Sequence, residues 1–242
     1  MDFCSAQRDH PPNRHWRVTT LRERALRRLA ALAFGMGLLL FLPARTIHYW
    51  QAWLYLFVFT GSSLLLTLYL MKKDPALLRR RLSGGPTAER EPTQKLIMLF
   101  ASIGFVALLV VPALDRRFEW SEVPTYVALA GDILVAIGFY GIYLVYRENT
   151  FTSATIELAE DHRVISTGPY AIVRHPMYAS GSLFLLGTPL ALGSYWGLAP
   201  FAATMPFLIW RLIDEEHFLA QRLRGYTDYQ KQVPYRLIPR VW

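Results

Sequence analysis

The chain has 242 residues, of which 53% are hydrophobic, 14% aromatic and only 18% charged, a balance that disfavours a soluble fold. In a chain with long apolar runs, the formal net charge of +8 is typical of basic loops between membrane spans, so we expect no nucleic-acid partner. The single cysteine, Cys4, excludes an internal disulfide framework and a cysteine-based zinc site.

Four apolar segments, taken in chain order, are each about as long as a helix that crosses a bilayer. They occupy residues 26–42, 50–71, 96–114 and 123–146. The last of them contains one acidic residue, Asp132, which either packs toward a polar partner or relays protons. The sequence therefore predicts four transmembrane helices.

A fifth apolar region, residues 178–213, is interrupted by glycines and prolines and predicts a helical hairpin that turns at residues 193–197. Each arm has about 15 residues, or ~22 Å of helix, so the arms are either short spans or a re-entrant hairpin. The predicted fold class is all-α: a polytopic membrane helical bundle of four spans plus this C-terminal hairpin, with five to six transmembrane helices. We expect one structural domain, with a linker-like stretch at residues 72–95.

The distribution of basic residues predicts the orientation of the chain. Residues 1–28 and 72–95 hold seven Lys and Arg each, residues 147–174 hold three, and residues 211–242 hold six. Only Arg45, Arg116 and Arg117 lie in the other loops. By the positive-inside rule, both termini and the loops at 72–95 and 147–174 are cytoplasmic.

Chemically distinctive residues flank the hairpin on the predicted cytoplasmic side. In the first flank, Pro176 suits the first turn of a helix and places His175 at the helix start, beside free backbone donors. Such a site either holds an anionic group or is an interfacial cap. In the second flank, Arg211 stands three and four residues before Asp214 and Glu215, so it allows an intrahelical ion pair.

Two classes of site are disfavoured by spacing. His162, His175 and His217 lack the H-x-x-x-H and H-E-x-x-H spacings, so we expect no metal site. No G-x-G-x-x-G or G-x-x-x-x-G-K-[ST] motif is present, which excludes the common soluble nucleotide-binding folds.

The two flanking segments together resemble the isoprenylcysteine carboxyl methyltransferase family, which is grouped with membrane phospholipid N-methyltransferases and thiol S-methyltransferases. The resemblance rests on Gly168-Pro169-Tyr170-x3-Arg174-His175-Pro176-Met177-Tyr178, the hairpin, Glu215-Glu216-x-x-Leu219 and Tyr226-x-x-Tyr229. It covers roughly residues 125–242, and the first two spans show no such match. On this basis, residues 123–242 form a methyltransferase-like membrane core, and residues 1–122 supply a basic N-terminal segment and three helices.

The resemblance implies a membrane enzyme that binds S-adenosylmethionine in a cytoplasmic pocket without a Rossmann fold. A lipophilic or prenylated acceptor enters from the bilayer, so membrane lipids are the other expected partners. The implied cofactor-binding residues are His162, Arg163, Val164, Ile165, Tyr170, His175, Pro176, Met177, Tyr178 and Glu215. Arg211 falls where the family has a substrate-contacting arginine, and we expect Arg211, Glu215 and Glu216 to be the catalytic residues.

The identity of the methyl acceptor stays open at the level of sequence. A carboxylate or a thiolate needs no strong base, whereas an amine acceptor requires one, for which Glu215 or Glu216 is the candidate. The alternatives to a carboxyl methyltransferase are a lipid amine N-methyltransferase, a small-thiol S-methyltransferase, a reductase of similar fold, and a non-catalytic transporter or assembly factor.

Overall fold

A computed structural model describes residues 14–82, 91–152 and 163–242, with side chains from residue 21 onward. In these ranges the chain is helical and contains no β-strand, which confirms the all-α fold class. The helices are α1 Arg14–Ala44, α2 Trp50–Lys73, α3 Pro75–Leu82, α4 Pro92–Phe118, α5 Thr125–Glu148, α6 Pro176–Ala191, α7 Leu198–Arg222 and α8 Tyr226–Gln232, with a 3₁₀ turn at Gly168–Ala171.

The four predicted spans are confirmed as long apolar helices. Leu21–Ala44 within α1, and the whole of α2, α4 and α5, have the length and hydropathy needed to cross a membrane. Large apolar side chains such as Phe34, Phe57 and Leu65 are exposed on α1 and α2, as expected for helices that face lipid. The chain is therefore a polytopic membrane protein.

Part of the linker-like stretch at residues 72–95 is helical in the structure. Helix α3 forms within this stretch because Asp74 caps it: its Oδ1 accepts a hydrogen bond of 2.8 Å from the N–H of Leu77, and Pro75 occupies the first turn. Leu77 and Leu78 are buried, so the short helix is held against the bundle by its apolar side. Residues 83–90, together with residues 1–13 and 153–162, lie outside the described ranges.

The predicted hairpin is present, with α6 and α7 joined through residues 192–197. Its tip contacts the loop ends on the far side of the bundle: the hydroxyl of Ser194 hydrogen-bonds Asp115 at the end of α4, and the hydroxyl of Tyr49 donates to the carbonyl of Leu192 at 2.6 Å. The hairpin therefore runs along the bundle to the end opposite Tyr178. Its second arm, with 25 residues, is longer than expected and carries Arg211 and Glu216 on the same helix.

Close packing between α5 and α6 fixes the position of the hairpin. At Gly131 an added Cβ would lie 2.2 Å from the backbone nitrogen of Ala191, so only glycine allows the two helices to approach this closely. Nearby, Phe59, Phe139 and Phe184 form an aromatic cluster between α2, α5 and α6. This contact places the start of α6 beside the end of α5, where the chemically distinctive residues gather.

Candidate active site

The start of α6 is held by the C-terminal segment of the chain. The backbone N–H groups of Arg174 and His175 donate to the carbonyl oxygens of Tyr235 and Arg236 at 2.9 and 3.0 Å. The helix then begins at Pro176, as the sequence predicts, and His175 precedes it as the N-cap residue. The first flank of the hairpin is thus anchored by residues near the end of the chain.

Glu216 is the centre of a buried ion cluster. Its Oε1 accepts from Nε of Arg174 at 2.6 Å, and its Oε2 accepts from Nε of Arg236 at 2.8 Å. Burial raises the pKa of the Glu216 carboxyl. The combined effect of His175, Arg174 and Arg236 lowers it by more than burial raises it, so the pKa lies well below its usual range. Nη1 of Arg174 also donates to the carbonyl of Val233 at 2.8 Å, which joins the cluster to the C-terminal segment.

The three consecutive acids of α7 have three different partners. Glu216 belongs to the ion cluster, the Oε2 of Glu215 accepts a 2.6 Å hydrogen bond from the hydroxyl of Tyr178, and the Oδ2 of Asp214 accepts one of 2.8 Å from Gln94. Arg211 also contacts α4, because its Nη1 donates to the Oε1 of Gln94 at 2.8 Å. This acidic run therefore ties α7 to α4 and α6 instead of forming only a solvated helix end.

Tyr170 is another residue of the site and is held by two neighbours. Its hydroxyl accepts a hydrogen bond of 2.9 Å from Nδ2 of Asn149, and its carbonyl accepts one of 2.7 Å from the hydroxyl of Tyr229. Burial raises the pKa of Tyr170 to about 12, so its phenol is neutral at physiological pH. Tyr170 can therefore offer an uncharged ring and a hydroxyl to a ligand.

A cavity of about 410 Å³ lies between these groups, a volume suited to a small-molecule ligand. Among the described residues, it brings together every predicted site residue except Glu216: Arg163, Val164, Ile165, Tyr170, His175, Pro176, Met177, Tyr178, Arg211 and Glu215. Glu216 lies behind the wall, in the ion cluster, and the predicted His162 lies outside the described ranges.

Other lining residues are not identifiable from the sequence alone. They are Arg81, Met98, Ala101, Asn149, Phe151, Thr152, Leu208 and Leu223. Arg81 comes from α3, and its Nε donates to the hydroxyl of Tyr146 at 2.7 Å. A single arginine or asparagine in a polar segment belongs to no sequence pattern that would predict its position at the cavity. The one usable signal is the Asp74-Pro75 helix start, which brings Arg81 to this end of the bundle.

Comparison with known proteins matches the region that builds this cavity. Residues 126–224 match the family model described as phospholipid methyltransferase. The chain is 28% identical over 143 residues to protein-S-isoprenylcysteine O-methyltransferase B of Arabidopsis thaliana, covering 57% of this chain and 70% of that protein. It is 34% identical over 77 residues to protein-S-isoprenylcysteine O-methyltransferase of Schizosaccharomyces pombe, covering 31% and 33%. The region that builds the cavity is therefore similar to phospholipid methyltransferases and to isoprenylcysteine O-methyltransferases.

The similarity also extends to a protein with a different name. A further relative, the nickel-cobalt-cadmium resistance protein NccN of Alcaligenes xylosoxydans xylosoxydans, is 22% identical over 134 residues, covering 53% of this chain and 59% of that protein.

The family match spans α5 to α7 but excludes α1 to α4. Arg81, Met98 and Ala101 therefore line the cavity from helices outside the matched region, and Gln94 contacts Arg211 from there.

Proposed function

We propose that this chain is an integral membrane methyltransferase that uses S-adenosylmethionine to methylate the carboxylate of a prenylcysteine-like lipophilic acceptor. The supporting observation is the composition of one cavity. Its wall carries the polar residues His175, Tyr178 and Glu215, and it also carries Arg211 together with apolar residues of α4 and α7. The polar residues would suit a polar cofactor, and Arg211 with its apolar neighbours would suit an acceptor that has an apolar chain and a carboxylate.

The residues on the polar wall fit the proposed cofactor. His175 lines the cavity, and its buried Nε2 lies 3.4 Å from Oε1 of Glu216, so the ring is held between the cavity and the ion cluster. Ala179 is the first residue of α6 to donate back to the helix start, so the N–H groups of Met177 and Tyr178 precede the intrahelical bonds and suit an anionic carboxylate. When bound, S-adenosylmethionine would supply an electrophilic methyl group on a sulfonium.

The wall residues that would hold the rest of the cofactor differ in chemistry. Val164 and Ile165 offer an apolar surface to a purine ring, while Glu215 offers carboxylate oxygens to hydroxyl or ammonium groups. The hydroxyl of Tyr178 already donates to Glu215, so this hydrogen bond holds the carboxylate at the wall. These assignments require binding and orientation from the protein and no covalent chemistry.

In the proposed reaction, Arg211 binds the acceptor carboxylate and orients one of its oxygens toward the methyl group. A guanidinium suits this task because its planar donors match a carboxylate. The carboxylate is already ionised at neutral pH, so no general base is needed. The C-terminal segment would exclude water, since its backbone closes over Arg174 and His175. Glu216 would support this arrangement as a structural ion and would not contact the substrate.

The first test is calorimetric binding of S-adenosylmethionine to the purified, detergent-solubilised protein. We expect saturable binding by the wild type and a loss of at least tenfold in affinity in His175→Ala, because His175 is a buried residue of the cavity wall. The matched control is His217→Ala, a histidine that is exposed on α7 and should bind normally. Equal affinity of the His175 variant and the wild type would remove His175 from the site. No binding by folded wild type would contradict the methyltransferase proposal and favour a non-catalytic role.

A lipid amine is the second candidate acceptor, because the matching family model is described as phospholipid methyltransferase. In that case Glu215 would accept the proton that the amine must lose. Transfer of labelled methyl groups to N-acetyl-S-farnesylcysteine and to phosphatidylethanolamine in the same vesicles separates the two. We expect the label on the carboxylate; label on the amine alone would replace the first candidate with the second.

A further inference from the structure

Gln94 connects two residues of α7 across the interface with α4. It is 5% exposed and lies in the first turn of α4, outside the region matched by the family model. Its Oε1 accepts from Nη1 of Arg211 at 2.8 Å, and its Nε2 donates to Oδ2 of Asp214 at 2.8 Å. The two partners fix the orientation of the amide, since a guanidinium can only donate and a carboxylate can only accept.

The seam between α4 and α7 is rigid enough for this bridge to set the position of Arg211. At Gly104 an added Cβ would lie 2.1 Å from Oγ1 of Thr204, so the helices pack without space between them there. One step toward the site, the rings of Phe100 and Phe207 stack with centroids 4.6 Å apart. Gln94 and Arg211 lie farther along the same antiparallel pair of helices, so this packing holds both helices next to the bridge.

The cavity opens between the Gln94 bridge and the stacked rings. Met98 and Ala101 of α4 line it together with Leu208 and Arg211 of α7. This part of the wall is apolar except for the guanidinium. A ligand that complements this part of the wall has an apolar chain that packs against the two helices and an anionic group that binds Arg211.

We propose that Gln94 is a positioning residue for recognition of the acceptor: it holds the guanidinium of Arg211 at the cavity wall, and Asp214 holds Gln94. This inference rests on the proposed function and assigns to the N-terminal half of the chain a part in acceptor specificity. Neither Gln94 nor Asp214 lines the cavity, so the bridge acts through Arg211, the residue proposed to bind the acceptor.

The test compares Gln94→Met, which keeps the length of the side chain but removes both hydrogen bonds, with the wild type. In transfer assays to N-acetyl-S-farnesylcysteine, we expect kcat/KM to fall roughly 10- to 100-fold, as for loss of a hydrogen bond to a charged group. The affinity for S-adenosylmethionine should stay within about twofold. The matched control, Gln221→Met, alters an exposed glutamine on α7 and should change neither value.

A binding measurement keeps this inference separate from the proposed activity. The wild type should bind N-acetyl-S-farnesylcysteine more tightly than its carboxamide, whether or not it transfers a methyl group, and Gln94→Met and Arg211→Ala should each abolish that preference. The double variant should lose no more affinity for the acceptor than either single variant, since both changes remove the same interaction. The positioning role would be overturned if Gln94→Met kept the preference for the carboxylate over the carboxamide, or if the wild type showed no such preference. Parallel losses of donor affinity and thermal stability, which indicate a merely structural residue, would overturn it as well.

Discussion

Glu215 and Glu216 are adjacent carboxylates with different surroundings. Glu215 lines the cavity, whereas Glu216 is fully enclosed by Arg174 and Arg236. We predict that Glu216→Gln destabilises the protein by about 3–5 kcal/mol, because it leaves the buried Arg174 without a counter-charge. Thermal unfolding in detergent measures this loss. Glu215→Gln serves as the comparison and should cost less stability while impairing donor binding; equal destabilisation by both changes would contradict the distinction.

The pH dependence of unfolding is a second readout of the same change. The pKa of Glu216 is lower in the folded chain than its usual value of 4.5, so its contribution is complete above that value and is lost as the pH falls below it. The wild-type Tm should therefore drop on acidification from about pH 6 to pH 3, and the drop should be shallower in Glu216→Gln. Parallel curves for the two proteins would show that Glu216 does not carry this dependence.

At the scale of helices, the spans and the turn of the hairpin are predictable because runs of about 20 apolar residues and a glycine-rich break are local signals. Helix α3 is not predicted because its eight residues lie among charges, and its cap at Asp74 is a weak signal on its own. The contacts of Gln94 could not be predicted at all: its partner Arg211 is 117 residues away, and neither residue has a periodic pattern. The motifs therefore predict most of the lining residues, including Arg211, whereas Gln94, Met98 and Ala101 are recognised only in the folded chain.

The packing of α5 against α6 gives a prediction at this scale. Gly131→Ala would place a methyl group 2.2 Å from the backbone of Ala191, which must shift because backbone has no alternative rotamer. We expect a loss of about 1–3 kcal/mol in stability and weaker donor binding, since α6 also carries His175 at its start. Gly61→Ala is the matched control: nothing lies within 4 Å of its added Cβ, so stability should be unchanged or slightly higher. Equal stability of the two variants would mean that the helices are not in this close contact.

At the scale of the molecule, the site depends on both halves of the chain. The matched region contributes His175, two tyrosines and Glu215, while α3 and α4 contribute Arg81, Met98 and Ala101 to the wall. The described end of the bundle around the cavity also contains the segments that are rich in Lys and Arg. If these basic segments face the cytoplasm, the cavity opens there and the tip of the hairpin lies on the opposite face of the membrane.

This orientation can be measured with two single-cysteine variants in a Cys4→Ser background. Tyr195→Cys places a thiol at the exposed tip of the hairpin, and Lys231→Cys places one on α8, at a side chain that is 78% exposed. In intact bacterial cells expressing each variant, a membrane-impermeant maleimide should label Tyr195→Cys directly and Lys231→Cys only after permeabilisation. The positive-inside rule requires this order because six Lys and Arg residues follow position 210, whereas none lies between residues 175 and 210. Labelling of both thiols from one side would show a re-entrant hairpin, and the reverse order would place the cavity on the non-cytoplasmic face.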